Sequence, residues 1–248
     1  MSDPALSVVV PLYNEAGNVE LLQAELSEAL AGIDHEVILV DDGSTDETLR
    51  RIRPGERVRV LSLGRNCGQS AAMYAGMMAA RGERITLLDG DLQNDPADIL
   101  KLMEAMEREG VDLVCGYRAA RKDTAFKKLQ SRIANGIRSR FVGDGVRDTG
   151  CTLKLMRREC REALVPFNGM HRFIPALVRG MGYSLSEVAV GHRARLHGVS
   201  KYGFGNRAWR GLCDMFGVRW WVGRRFRVRA EELVWPGGVA GGTEGGSR

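Results

Sequence analysis

Short apolar runs alternate with longer amphipathic ones along the first half of the chain. Ser7 to Pro11 is apolar and β-branched and predicts a buried strand. Glu36 to Val40, Val58 to Ser62, Arg84 to Leu88 and Leu113 to Cys115 repeat the signal. Between them, helical spacing predicts helices over Val19 to Ala31, Thr45 to Arg53 and Ser70 to Ala80. Pro54-Gly55 closes the second of these, and the third is built of small residues suited to close packing. Pro96, at a favoured first-turn position, predicts a further helix to about Glu109. Strands alternating with helices predict an α/β fold, a Rossmann-like and mostly parallel sheet with helices on both faces.

Beyond residue 116 the pattern loosens. A basic helix is expected around Ala125 to Arg140, a strand at Thr152 to Met156 and a helix around His171 to Arg179. From Phe204 to Arg229 an amphipathic helical stretch interleaves Trp209, Phe216, Trp220, Trp221 and Phe226 with arginines. The expected organisation is a catalytic domain over 1–203, an aromatic and arginine-rich helical appendage over 204–235 and a Gly-rich disordered tail over 236–248.

In open α/β sheets ligands bind beyond the carboxyl ends of the strands. The polar clusters fall there: Tyr13-Asn14-Glu15 after the first strand, Asp41-Asp42 after the second, Asn66 after the third, Asp89 and Asp91 after the fourth. Four separate segments thus converge on one edge. Two carboxylates on a turn freed by Gly90 can reach one hard cation, and Mg2+ and Mn2+ both prefer oxygen ligands. Such a metal would bridge to a diphosphate and stabilise a leaving nucleotide. Asp42 can accept from a base N–H or a ribose hydroxyl. Asp42 or Ser44 can also cap the following helix, with Gly43 supplying a positive φ.

Charge sharpens this picture. The 248 residues carry a formal net charge of +5, unevenly spread. Residues 118–140 hold eight Lys and Arg against Asp123 alone, and 193–229 form a second basic run with Asp214 as the one acid. Acids concentrate earlier in the chain. An acidic metal site facing basic surroundings suits an anionic ligand, and a solvated basic face is the alternative. Five cysteines without a CxxC pair suggest neither a disulfide framework nor a zinc site. No signal-peptide pattern and no window of about 20 apolar residues is found, so a cytoplasmic location is expected.

Val-Val-Val-Pro-Leu-Tyr-Asn-Glu (8–15), Val-Asp-Asp-Gly-Ser-Thr-Asp (40–46), Asn66-Cys67-Gly68 with Ala71 and Gly76, and Asp-Gly-Asp-Leu-Gln-Asn-Asp-Pro (89–96) together resemble the family 2 glycosyltransferases of GT-A fold. Gly116-Tyr117-Arg118, Ser131-Arg132 with Asn135, His171-Arg172-Phe173 and Gly198-Val199-Ser200-Lys201-Tyr202 resemble the dolichol-phosphate mannose synthase and polyprenyl-phosphate glycosyltransferase branch. The resemblance covers roughly residues 6–210. It implies a nucleotide pocket of Pro11, Tyr13, Glu15, Asp42, Asn66 and Gly68. It implies that Asp89, Asp91 and Gln93 hold Mg2+ or Mn2+ and the diphosphate. Arg118, Arg132, Arg195 and Lys201 would neutralise the phosphate of a lipid acceptor.

The implied reaction is inverting transfer of a hexose from a GDP- or UDP-sugar to a polyprenyl phosphate or related membrane lipid. The acceptor phosphate is already anionic, so a strong base is dispensable; for a hydroxyl acceptor, Asp148 is the carboxylate to test. His171 with Arg172 is a candidate contact to donor phosphates or acceptor. Many relatives continue into transmembrane helices, whereas here Trp209 to Arg229 could lie peripherally in a membrane interface or pack on the core or another subunit. The oligomeric state is left open. Nucleic acid is not an expected partner. The rival readings are a basic, membrane-surface nucleotide-binding protein without catalysis, and a sugar-1-phosphate nucleotidyltransferase. The second would open with a Gly-rich loop where Pro11-Leu12-Tyr13-Asn14-Glu15 stands.

Overall fold

Apolar strands cannot satisfy their own backbone groups, and among the described residues seven of them pair into one sheet. The computed structural model describes residues 3–119, 136, 138–194 and 205–226, without the side chains of 205–210. The strands are β1 (Leu6–Leu12), β2 (His35–Asp41), β3 (Val58–Ser62), β4 (Arg84–Leu87), β5 (Leu113–Arg118), β6 (Lys154–Arg157) and β7 (Leu185–Val190). Their order is β3-β2-β1-β4-β6-β5-β7. The β1, β2, β3 and β4 pairings are parallel, as is β5 with β7. β6 runs antiparallel to both its neighbours, with Lys154 opposite Leu87 of β4.

Both faces of the sheet are covered, and β1 and β2 are accordingly buried along nearly their whole length rather than alternating. On one face Val9, Ile38 and Leu87 pack with Met73 and Met77 of α3 (Gln69–Ala79) and Ile174 and Leu177 of α5 (Ile174–Gly180). On the other, Val8, Val10 and Leu39 pack with Leu22 and Leu26 of α1 (Val19–Ala29) and Ile99, Leu102 and Met106 of α4 (Asp98–Glu109).

The departures from the pattern have local causes. The helix expected over Thr45 to Arg53 shrinks to α2 (Thr48–Arg51). Ser44 and Thr45 are tied to Asn14, and Asp46 accepts from the Thr48 N–H at 2.9 Å, so these residues are unavailable to a helix. Helix α4 begins two residues after Pro96, because Asp95 Oδ1 accepts the Ala97 N–H and organises a turn first. The stretch expected as one helix from His171 divides into a 3-10 turn, Met170–Arg172, and α5. β7 was not foreseen. Of the basic helix expected at 125–140, residues 125–135 lie outside the described residues, as does the tail beyond 226.

The aromatic helix forms as α6 (Gly205–Arg224). Val218 is buried, and Met215 and Val222 pack beside it against the core. Phe216 meets Phe141 edge-on at 4.9 Å yet stays 64% exposed, and Trp220 is 62% exposed. One face of α6 therefore packs and the opposite face does not. Among the described residues, no helix is long and apolar enough to cross a membrane.

Burial also sorts the thiols. Cys67 and Cys213 are exposed, whereas Cys115, Cys151 and Cys160 are buried. Desolvation pushes Cys115 and Cys160 up to about 12 and raises Cys151. In a native thiol titration Cys67 and Cys213 should react promptly and the other three only after unfolding. Fast native labelling of Cys115 or Cys160 would contradict this packing.

Candidate active site

The loops after the first three strands are tied to one another before any ligand arrives. Asn14, at φ 54°, donates its N–H to Ser44 Oγ at 3.0 Å and accepts the Thr45 N–H at 2.8 Å. Glu15 donates its N–H to Thr48 Oγ1 at 2.8 Å and accepts Asn18 Nδ2 at 2.6 Å. Ser44 therefore stitches two loops together and makes no side-chain cap on α2. Asp42 is buried and accepts the N–H groups of Cys67 at 2.6 Å and Gly68 at 2.9 Å. It thereby holds the loop that carries Asn66 and starts α3. Gly43 sits at φ 70°, and a Cβ there would lie 2.4 Å from the Arg65 carbonyl carbon, so only glycine allows the two loops to meet. Desolvation raises the Asp42 carboxyl, with the Asp41 charge adding, against the two N–H donors.

Asp89 and Asp91 follow β4. Gly90 presses this turn onto the end of β1, where a Cβ would come within 2.6 Å of Leu12 Cδ2. The Pro11 carbonyl, 3.1 Å from the same point, is thereby kept beside this turn. Leu92 lies in the left-handed region at φ 61°, a conformation costing roughly 1–2 kcal/mol for a residue with a Cβ. Its side chain is fully buried, and that burial offsets the cost. Asp91 Oδ1 accepts the Gln93 N–H at 3.2 Å. Arg193 fastens the loop from outside: its N–H donates to the Gln93 carbonyl at 2.8 Å and its guanidinium reaches Asp95 at 2.6 Å and Glu25 at 2.8 Å.

Asp89 accepts Gln69 Nε2 at 2.8 Å and a hydrogen bond from Thr152. Burial, and then the charge of Asp91, push its carboxyl up to about 6; Thr152, Lys154 and Arg118 act in the opposite sense. Two carboxylates two residues apart on one turn form an all-oxygen donor set that fits Mg2+ or Mn2+. Among the described residues no group of three or more His, Cys, Asp or Glu side chains converges. A cation here would need further oxygens from a ligand, as a diphosphate supplies.

On the β6 side of Asp89 the chemistry turns basic. Arg118 binds Asp148 through two bonds, Nε to Oδ2 at 2.7 Å and Nη2 to Oδ1 at 2.9 Å. Asp148 also accepts the Gly150 N–H at 3.1 Å, so both oxygens of this candidate base are engaged in holding Arg118 and the turn. Lys154 is buried and donates to the Cys151 carbonyl. Ser70 Oγ lies 2.6 Å from His171 Nδ1 and accepts the Gly169 N–H at 2.9 Å, fixing the imidazole at the start of α3. Gln69, Asp89, Thr152, Lys154, His171 and Arg172 line a polar cavity of about 190 Å³. Arg132, Arg195 and Lys201 lie outside the described residues. A larger groove, about 630 Å³, lies beside α1 and the amino ends of β2 and β3, far from these carboxylates.

Sequence reasoning missed Lys154, Thr152, Ser70 and Arg193. Lys154 carried a usable signal, a lone cation inside an apolar run expected as a strand.

A family model described as Glycosyl transferase family 2 matches residues 7–164. Dodecaprenyl-phosphate galacturonate synthase of Rhizobium johnstonii is 43% identical over 234 residues, 90% of this chain and 68% of that protein. Undecaprenyl-phosphate 4-deoxy-4-formamido-L-arabinose transferase is 39% identical in Edwardsiella ictaluri, over 80% of this chain and 63% of that one. In Pseudomonas aeruginosa it is 39% identical over 79% and 60% respectively. The chain thus spans about two thirds or less of the length of these relatives. Glucosyl-3-phosphoglycerate synthase from Mycobacterium tuberculosis, solved with Mn2+, uridine diphosphate and phosphoglyceric acid, superposes with a TM-score of 0.65 at 19% identity, over 87% of this chain and 78% of that one. That likeness establishes the GT-A type of fold.

The elevated Asp89 carboxyl sets a direction for stability. A folded-state value above the unfolded one contributes stability below the unfolded value that is lost as pH rises through the folded one. In metal-free protein, stability should therefore fall between about pH 4 and 6 relative to an Asp89→Asn variant. Denaturant unfolding of both proteins across that range checks this, and parallel profiles would refute it.

Proposed function

We propose that this chain, which belongs to glycosyl transferase family 2, transfers a hexose from a GDP- or UDP-sugar to the phosphate of a polyprenyl-type lipid at a membrane surface. The observation carrying this reading is the division of one strand edge into two halves at Asp89. On the β1–β2 side lie Pro11, Tyr13, Glu15 and the loop that Asp42 holds, which suit a nucleoside. On the β6 side lie Lys154 and Arg172, with Arg118 clamped to Asp148 behind them, and these suit an anionic acceptor. The names of the relatives, transferases and synthases of polyprenyl phosphates, support the same acceptor class.

Donor and acceptor then approach from opposite sides of the carboxylates. The acceptor's phosphate oxygen attacks the anomeric carbon and forms the new C–O bond as the bond to the nucleoside diphosphate breaks, with inversion. The nucleophile is already ionised, so no side chain has to remove a proton, and alignment supplies most of the acceleration. Asp89 and Asp91, with Gln93 beside them, would hold Mg2+ or Mn2+, which when bound neutralises charge on the departing diphosphate. Leu92 and Arg193 keep those carboxylates in place, and the Arg118–Asp148 clamp holds the 148–150 turn on the acceptor side.

Calorimetry with GDP, UDP, GDP-mannose, UDP-glucose and UDP-galactose, each with Mn2+ and with EDTA, tests the donor half. One nucleotide class should bind only with metal. Asp91→Asn should abolish that binding without loss of thermal stability, since the amide oxygen can still accept the Gln93 N–H. No nucleotide binding by a folded wild type would overturn the reading.

The membrane half rests on α6, where Leu212, Phe216 and Trp220 recur every four residues, all exposed. Exposed Arg219 and Arg224 accompany them. This face suits peripheral binding to an anionic, cytoplasmic leaflet, and the five free cysteines agree with that compartment. The protein should co-sediment with phosphatidylglycerol-rich vesicles, less at high salt, and a Phe216→Ser/Trp220→Ser variant should bind about tenfold more weakly or worse. Equal sedimentation of the two proteins would remove α6 from the interface.

A further inference from the structure

We propose that the cavity on the β6 side of Asp89 receives the acceptor's phosphate and that Lys154 is the cation that binds it. This rests on reading the chain as a transferase with a lipid-phosphate acceptor, and it assigns that phosphate to a residue the sequence motifs do not include.

Lys154 is 2% exposed, among the most deeply buried large side chains of the protein. It opens β6, opposite Leu87, two residues before Asp89 on the neighbouring strand. Its hydrogen bond goes to the Cys151 carbonyl, and the anion its charge acts on is Asp89, a carboxylate that would itself be engaged by a bound cation. A buried ammonium costs several kcal/mol unless an anion compensates it, and an apolar side chain of similar length would fill the same space without that cost. The cavity that its side chain lines also presents Arg172, His171 and the polar groups of Thr149 and Thr152, with Asp89 as its one carboxylate. Basic groups therefore outnumber acidic ones in a space large enough for an oxyanion. The Thr149–Lys154 wall of the cavity belongs to β6 and its approach, across β4 from β1 and β2, so an anion seated against that wall suits the acceptor rather than the nucleoside.

Arg118, expected from the sequence to meet the acceptor phosphate, lies one layer behind. Its guanidinium is directed at Asp148, and a Cβ on Gly150 would stand 2.8 Å from its Nη2. In this arrangement Arg118 fixes the 148–150 turn that forms the cavity wall, and Lys154 makes the direct contact.

The test compares the full chain with Lys154→Met, Lys154→Gln and Lys154→Arg. Farnesyl monophosphate is the acceptor probe, inorganic phosphate the headgroup alone, and the nucleotide that binds wild type the donor probe. Lys154→Met should fold with undiminished thermal stability and still bind nucleotide. It should lose at least tenfold in affinity for farnesyl monophosphate, and inorganic phosphate should compete with that probe in wild type. Lys154→Arg should restore most of the affinity. Lys154→Gln carries the comparison if the Met variant does not fold. Unchanged farnesyl monophosphate binding in the folded neutral variant would overturn the assignment, and so would a loss confined to nucleotide. Wild type that binds nucleotide but no farnesyl monophosphate would instead refute the lipid-phosphate reading on which the proposal rests.

Discussion

Parallel strands deliver their carboxyl ends to one edge of a sheet, but β6 runs the other way between β4 and β5, so its amino end arrives at that same edge. The register fixes the result: Lys154 stands opposite Leu87, and the residues leading into β6, Thr149 to Thr152, pass beside Asp89. A fully parallel sheet would have sent those groups to the opposite end. The acidic turn after β4 and the basic groups before β6 are neighbours because of this single reversal. The pKa of Asp89 registers it too, since Lys154 and Arg118 work against the burial and the Asp91 charge that drive its carboxyl upward.

On the other flank, the site depends on loops that hold each other. Asp42 was read from the sequence as a nucleotide contact, and its carboxylate is committed to the Cys67 and Gly68 N–H groups. A nucleoside meeting this flank would meet a surface that Asp42 shapes, whatever it also touches. Asn14 and Arg193 act in the same manner on the loops after β1 and β4. Side chains that order their own backbone leave the pocket preorganised, so less freedom is lost when a ligand binds.

Much of this was legible in advance. The first five strands, and the polar clusters at their ends, follow from apolar runs broken by Asp and Asn, because burial on both faces demands such runs. β7 escaped because Leu-Ser-Glu-Val-Ala-Val is only partly buried and carries a mixed pattern. The direction of β6 escaped because periodicity reports burial and says nothing of which neighbour a strand will choose. Asp148 looked like a lone carboxylate before a glycine; the arginine that occupies it comes from thirty residues away. The aromatic helix posed a choice between core and interface; the structure packs one face of it on the core and leaves the other exposed.

The central place of β6 also bears on how the protein is made. While synthesis proceeds, the ribosome completes β1 to β5 before Lys154 emerges, yet among the described residues β5 joins the sheet through β6 and β7. The nascent chain therefore carries β4 with an open edge and β5 without a partner for an interval of more than thirty codons. An unpaired edge is a template for association with other chains. Chaperone demand during translation should concentrate in that window, and a ribosome stalled there would release a half-sheet prone to aggregate.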